Sequence, residues 1–356
     1  MKRSDIGGQA VIEGVMMRSP EKIALAVRKP DGSISLTQPS ISTVTQRHPI
    51  LKKPFLRGVV MLCSSMAVGM KMITESAKIA GMEDMQAPSK LENAIAKKTN
   101  QSSENVMMFF AILLAVGLAV GLFFLLPSFL IGFLRPFIAS SLVLNLIEGV
   151  LRILLFIGYV AFCSLIKDVR RTFQYHGAEH KTINCYEHEQ PLDVEHVQKF
   201  TTKHPRCGTN YMLLVMVISV LVVSLTGFSG HFAIRALIRI LLLPVVASLA
   251  YEVLRLAAKS DNWLCRILRA PGILLQRLTT HEPDDGMVEV ALAAFKLALG
   301  YEREDIEEYV NALPRTQKQD TQPEGVQPEE GAGEAIKAAD PLCALQETLP
   351  SQDLSV

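Results

Sequence analysis

Two things are scarce in this chain of 356 residues: cysteine and net charge. The six cysteines are scattered rather than set at the spacings of a disulfide framework, which indicates a reducing compartment. The formal net charge is only +1, so nothing in the composition points to nucleic acid as a partner. The charged residues 1–5 are not followed by an apolar run, and we therefore expect no cleavable signal peptide.

Long apolar runs, by contrast, are abundant, and they predict a membrane protein. A helix needs about 20 apolar residues to cross a bilayer. Four segments are candidates: residues 105–134, 141–166, 207–230 and 236–254. The first and third contain no charged residue, and the second contains only Glu148 and Arg152, which stand four apart and are expected to pair. The fourth is the weakest, because Pro244 and two charges interrupt it, and a re-entrant or interfacial helix is its alternative.

The distribution of basic residues predicts the orientation of these spans. Residues 167–206 carry seven Lys or Arg, and residues 255–277 carry five more, whereas the connections near 135 and 235 carry few. Basic segments stay in the cytosol. Four spans with both termini and residues 167–206 inside satisfy that rule, whereas three spans would export the basic C-terminal region.

The N-terminal residues contain the signal of a β-hairpin. Residues 23–27 and 33–36 alternate in side-chain size on either side of residues 29–32, which have turn chemistry. The glycines between residues 7 and 14, beside the isolated acid Glu13, indicate either a close approach of the backbone to another group or surface turns, and we favour surface turns.

Helical patterns occupy the other polar segments. Apolar residues recur every three or four positions from Phe55 to Ala77, which predicts a helix at the membrane interface or packed on a core rather than a span. Asp193 is the predicted N-cap of a short helix that returns the chain towards the membrane. A further apolar stripe follows Asp284 and ends at Gly300.

These patterns predict a mainly α fold: a polytopic helical membrane protein of about four spans, with a small α+β cytosolic portion that includes the hairpin. The expected divisions are a hairpin region 1–50, an amphipathic helix and linker 51–104, a membrane domain 105–256 with a cytosolic segment 167–210, cytosolic helices 257–312 and a disordered tail 313–356.

The polar segment after the second span holds an H-x-x-E-H pattern. On a helix, His176 and His180 lie on one face with Glu179 beside them. Two histidines in this spacing bind a metal, and the acid serves as general base. The metal needs at least one more ligand, for which His204 and Cys207 are candidates where the loop meets the third span. Zinc suits mixed imidazole and thiolate ligands, while iron and manganese stay open.

Other polar residues carry weaker signals. His188 and His196 lie among glutamates, which favours a solvated face. Cys185 lacks the surroundings of a protease nucleophile. Glu13 is a further candidate for the metal cluster, and Trp263, the single tryptophan, is expected to anchor the chain at the membrane interface.

Four blocks of sequence resemble the bacterial YqhQ-like membrane family. They are residues 7–18, 175–181, 204–209 and 271–285, and they occur in the same order. The resemblance covers roughly residues 1–310. It implies a multi-pass membrane protein and a predicted metal-dependent enzyme whose reaction is undetermined.

We therefore expect a metal-dependent hydrolase at the cytosolic face of the bacterial inner membrane. His176 and His180, with His204 or Cys207, are the expected ligands, and Glu179 is the expected general base. The expected partners are the lipid bilayer and an unidentified substrate; homo-oligomer formation stays open.

Two alternatives to this function remain. In a non-catalytic membrane scaffold, the same cluster is a structural metal clamp or a set of hydrogen-bonded contacts. A transporter would have to line its path with Glu148, Arg152 and Asn145.

Overall fold

The computed structural model describes residues 4–39, 56–82, 103–225, 232–259 and 262–312. The strands are β1 (Gly7–Val11), β2 (Gly14–Arg18), β3 (Ile23–Arg28) and β4 (Ile34–Thr37). The helices are α1 (Leu56–Ile79), α2 (Ser103–Val120), α3 (Leu126–Leu134), α4 (Ser141–Cys163), α5 (Lys167–Glu187), α6 (Val194–Gln198), α7 (Gly208–Ser224), α8 (Phe232–Lys259), α9 (Trp263–Thr279), α10 (Asp285–Leu299) and α11 (Arg303–Ala312). The predicted linker before the first span and the predicted tail after residue 312 lie outside the described residues.

The four strands form one antiparallel sheet in the order β1-β2-β3-β4. The predicted hairpin is confirmed as β3 and β4, and Gly32 takes a φ of +85° in its turn. The assignment of the N-terminal glycines to surface turns is wrong, because β1 and β2 form a second hairpin around Glu13, which has a φ of +50°. Glycine and methionine obscure the alternation of apolar and polar side chains there, so the strands leave little trace in the sequence.

The sheet is covered by a helix on each face. On one face it packs against α10, which is buried from Gly286 to Ala298 because α5 lies along its other side. On the opposite face it packs against Val68 and Met72 of α1. We call the sheet with α5 and α10 the mixed core.

The predicted ends of α10 are confirmed. The Asp284 carboxylate accepts a hydrogen bond from the Met287 N–H at 2.8 Å, and Gly300 ends the helix with a φ of +100°. Asp193 likewise caps the short helix α6. The chain returning from α6 brings residues 199–207 back to α5.

Among the described residues, three helices are long and apolar enough to cross a membrane. They are Arg57–Ile79, Phe109–Leu134 and Ser141–Cys163. The predicted count was four, and only the last two of these were among the predicted spans. The first helix differs from the expectation: Arg57 and Lys71 enclose only thirteen uncharged residues, but the mean hydropathy of the helix still reaches 1.2 with its charged residues included.

The other two predicted spans are helical but do not meet that criterion. Helix α7 ends at Ser224 after 17 residues, with Leu225 as its C-cap, and residues 226–230 of the predicted span lie outside the described residues. Helix α8 is continuous through Pro244, and several of its side chains also lie outside the described set.

Two local features shape the first and second predicted spans. A π-helical turn, Gly121–Leu125, precedes Pro127 and separates α2 from α3, as expected where proline interrupts the hydrogen-bond ladder. Glu148 and Arg152 form the predicted pair at 3.0 Å. The turn of residues 164–166 separates α4 from α5, so α5 starts as an independent helix rather than continuing the span.

Candidate metal centre

The centre lies where α5 meets the start of α7 and the end of α9. His176 and His180 are one helical turn apart, with ring centroids separated by 4.4 Å. Cys207 occupies the N-cap position of α7 and places its Sγ 3.2 Å from His176 Nε2. One ligand atom from each of these three residues lies within 4.8 Å of the other two. The structure therefore brings together three of the four predicted ligands.

Backbone carbonyls orient both imidazole rings. His176 Nδ1 lies 2.8 Å from the Thr279 carbonyl oxygen, and His180 Nδ1 lies 2.6 Å from that of Thr202. A carbonyl can only accept, so Nδ1 carries the hydrogen in each ring and Nε2 carries the lone pair. Metal-binding histidines are commonly held in this way through the ring nitrogen that does not bind the metal.

The His180 ring is buried, and its surroundings favour its neutral form. It is only 1% exposed, and its Nε2 has no hydrogen-bond partner among the described residues. Burial lowers its pKa well below the ordinary value, and the nearby His176 lowers it further. A neutral ring with an inward lone pair is the form that binds a metal.

Glu179 is a buried carboxyl group beside this cluster. Its pKa is raised to about 8, chiefly by burial; His176 and a hydrogen bond from the Gly8 backbone oppose the shift, and Cys207 adds to it. Its Oε2 atom is buried and has no hydrogen-bond partner in the described part of the chain. A raised pKa makes a carboxylate a stronger base than an exposed one, which suits the predicted role of Glu179.

Strand β1 closes the centre at Glu179. A Cβ atom added at Gly8 would lie 2.8 Å from the Glu179 carboxylate, so only glycine fits without a shift. Glycine has a similar role inside the motif, where Gly177 packs directly against the His281 carbonyl. The presence of glycine at both positions is the sequence signal for these close contacts.

His204 lies next to the cluster but outside it. Its ring centroid is 5.7 Å from that of His180, and its Nε2 is 3.5 Å from Glu187 Oε2, too far for a good hydrogen bond. Burial lowers the pKa of His204 to about 4, so the ring is neutral near pH 7. The fully buried Gln276 accepts from the His204 N–H at 2.9 Å and donates to its carbonyl at 2.8 Å. These main-chain bonds position the loop that carries Cys207, while His204 Nε2, like His180 Nε2, has no hydrogen-bond partner among the described residues.

The candidates with weaker sequence signals lie elsewhere. Glu13 pairs with Arg171 and accepts a hydrogen bond from the Tyr175 hydroxyl at 3.2 Å. His196 pairs with Asp193 at 2.8 Å.

Two further weak candidates are also engaged away from the centre. His188 Nδ1 donates to the Asn184 carbonyl at 2.7 Å. The Cys185 thiol lies 3.2 Å from the Pro191 carbonyl, and burial raises its pKa to about 12, which suppresses the reactive thiolate.

The donor set fits a divalent metal of the zinc type. Two imidazole nitrogens and one sulfur are ligands that zinc prefers, and three protein ligands leave a fourth tetrahedral position for a substrate. The buried, unpartnered atoms His180 Nε2 and Glu179 Oε2 are consistent with a bound group, because such atoms otherwise destabilise a protein by about 1–3 kcal/mol each.

Comparison with known proteins places the chain in a family. A family model described as "Protein of unknown function (DUF1385)" matches residues 53–301. The Uncharacterized protein YqhQ of Bacillus subtilis (strain 168) is 34% identical over 299 residues, which cover 83% of this chain and 92% of that protein. The chain therefore belongs to the DUF1385 family, and the YqhQ-like resemblance of its motifs is confirmed. No solved structure matches it.

Proposed function

We propose that this member of the DUF1385 family is a metal-dependent hydrolase that holds a divalent metal, by preference zinc, between His176, His180 and Cys207. The convergence of their ligand atoms within 4.8 Å carries the proposal. The two carbonyl partners support it, because they fix the tautomers in which both Nε2 atoms can bind the metal.

Glu179 is the general base of the proposed reaction. The metal supplies a Lewis acid that makes water a nucleophile near neutral pH. Glu179 accepts the proton at Oε2 and returns it to the leaving group. The Gly8 backbone donates a hydrogen bond to the Glu179 carboxylate. The burial of Glu179 keeps bulk water away from the proton that it carries.

We place this centre at the cytosolic face of the bacterial inner membrane, with both termini in the cytosol. The seven basic residues of 167–206 support that side, because basic segments are retained in the cytosol. The position of Cys207 at the N-cap of the apolar helix α7 supports a location of the centre at the membrane surface.

Labelling of an introduced cysteine tests the orientation. Glu189 is exposed in the turn after α5, so Glu189→Cys should react with a membrane-impermeant thiol reagent only after the cells are opened. Unchanged wild-type protein is the control for the native cysteines. Labelling of Glu189→Cys from outside intact cells would reverse the orientation.

A structural clamp is the second candidate function. It is favoured by the placement of the ligands, which join α5 to the N-cap of α7 across the loop between them. A metal in that position stabilises the loop without chemistry.

Metal content and Glu179→Gln together test both candidates. Purified wild type should carry stoichiometric divalent metal, and Glu179→Gln should retain it because the ligands are unchanged. The hydrolase proposal expects Glu179→Gln to fail to complement a deletion strain, whereas the clamp expects full complementation. Absence of metal from the wild type, and failure to bind it when offered, would refute both.

A further inference from the structure

A basic groove of about 390 Å³ runs along α9, on the other side of the loop that carries His204. Lys203, Arg266, Arg269 and Arg277 line it together with apolar side chains that include Ile273 and Leu274. Among the described residues, no acidic side chain lines the groove. This concentration of basic side chains in one groove favours an anionic ligand.

Helix α9 lies at the ends of the apolar helices. Its Leu275 packs with Val160 in the last turn of α4 and with Leu213 near the start of α7. Both contacts are at the ends of these helices that lead into the metal centre. If α4 spans a bilayer, α9 therefore lies at the level of the lipid headgroups.

The outer side of α9 is apolar and exposed. Trp263 is 73% exposed, Ile267 57% and Leu274 59%. Exposed apolar side chains beside a row of arginines are typical of a helix that lies in the membrane interface. Tryptophan is enriched at that depth.

We propose that this groove binds the phosphate of an anionic phospholipid from the surrounding leaflet. The guanidinium groups pair with the phosphate oxygens, for which their planar geometry is suited. The apolar side chains Ile273 and Leu274 contact the start of an acyl chain. The mixture of charge and exposed apolar surface favours a lipid over a free anion, which would use the charges alone. This site is independent of the proposed hydrolase activity.

Trp263 provides the test, because it is the single tryptophan of the chain and begins α9. The full-length protein is reconstituted in phosphatidylcholine, and quenching of its fluorescence is titrated with brominated phosphatidylglycerol or brominated phosphatidylcholine. The wild type should bind the anionic lipid about tenfold more strongly, from the combined attraction of several basic side chains.

Two charge-matched triple variants locate the effect. Replacement of Lys203, Arg266 and Arg277 by Gln should abolish the preference for phosphatidylglycerol. Replacement of Lys22, Lys29 and Lys199 by Gln removes the same charge from exposed positions outside the groove and should leave the preference intact.

Three outcomes would overturn the proposal. They are an equal response of the wild type to both lipids, an equal loss in the two triple variants, and abolition of the preference by excess inorganic phosphate, which would indicate a soluble anion site. The wild-type titration decides the first even if a variant fails to fold. The preference for phosphatidylglycerol should persist when a chelator removes bound metal. Failure of the lipid proposal is therefore distinguishable from failure of the metal proposal.

Discussion

Helices α10 and α2 are both apolar, yet they have opposite surroundings. Phe295 of α10 is fully buried and contacts the Tyr186 ring at 5.1 Å between centroids, whereas Phe109 of α2 is 63% exposed. None of the best membrane-spanning window in Phe109–Leu134 is buried inside the protein. Composition alone therefore does not reveal the surroundings of a helix: α10 is packed by protein on all sides, whereas α2 presents its apolar side chains to the outside of the protein. The candidate metal centre joins α5, which packs against α10, to the N-cap of the apolar helix α7.

The sharpest test of the comparison is a matched pair of truncations. Phe295→Ala should lower the free energy of unfolding by about 3–5 kcal/mol, because it leaves a cavity in the mixed core. Phe109→Ala should change it by less than about 0.5 kcal/mol, because its ring has few protein contacts. Denaturant unfolding in detergent measures both. Similar losses would show that α2 packs against protein in the native assembly.

Metal binding should stabilise the contact between α5 and the start of α7. Zinc at about 100 times its dissociation constant should raise the free energy of unfolding by about 2.7 kcal/mol, because it binds only the folded state. His176→Ala should remove this gain by deleting a ligand. His196→Ala, which alters a histidine paired with Asp193 away from the centre, should retain it. A full zinc response in His176→Ala would contradict the proposed ligand set.

A smaller effect is expected where the sheet closes on α5. Gly8→Ala should destabilise the protein by about 1–3 kcal/mol, because its Cβ would lie 2.8 Å from the Glu179 carboxylate. Gly7→Ala is the control, since a Cβ there meets no atom within 4 Å among the described residues. Thermal unfolding of the two variants compares them directly. Equal melting temperatures would mean that β1 does not press on Glu179.

The smallest effect should come from the exposed rim of the protein. Arg303 pairs with Glu307 one turn away on α11, with both side chains about half exposed. Arg303→Ala should change the free energy of unfolding by less than about 0.5 kcal/mol. A loss comparable to that of Phe295→Ala would show that α11 is covered in the native assembly.

Features governed by neighbours in sequence were predictable. The β3–β4 turn, the capping of α10 by Asp284 and the pairing of Glu148 with Arg152 all depend on residues a few positions apart. The placement of His176 and His180 on one face of a helix belongs to the same class, because helical periodicity alone determines it.

Features that join distant segments were not predictable in this way. The β1–β2 hairpin was missed because glycine and methionine give no clear alternation. The partners of the histidine rings are main-chain carbonyls of Thr202 and Thr279, and a carbonyl is present at every residue, so it leaves no sequence signal. Gln276 is a further example, since an isolated glutamine gives no indication that it will hold the His204 loop.

The sequence by itself determined that the chain has helices long and apolar enough to cross a membrane, and that the H-x-x-E-H pattern lies on a helix, because hydropathy and helical periodicity are local properties of the chain. Only the tertiary structure selected Cys207 over His204 as the neighbour of the two histidines, and only it brought Gly8 to Glu179. Those choices depend on how α5, α7, α9 and β1 pack together. Packing is set by shape and burial over residues up to hundreds of positions apart, which no local pattern records.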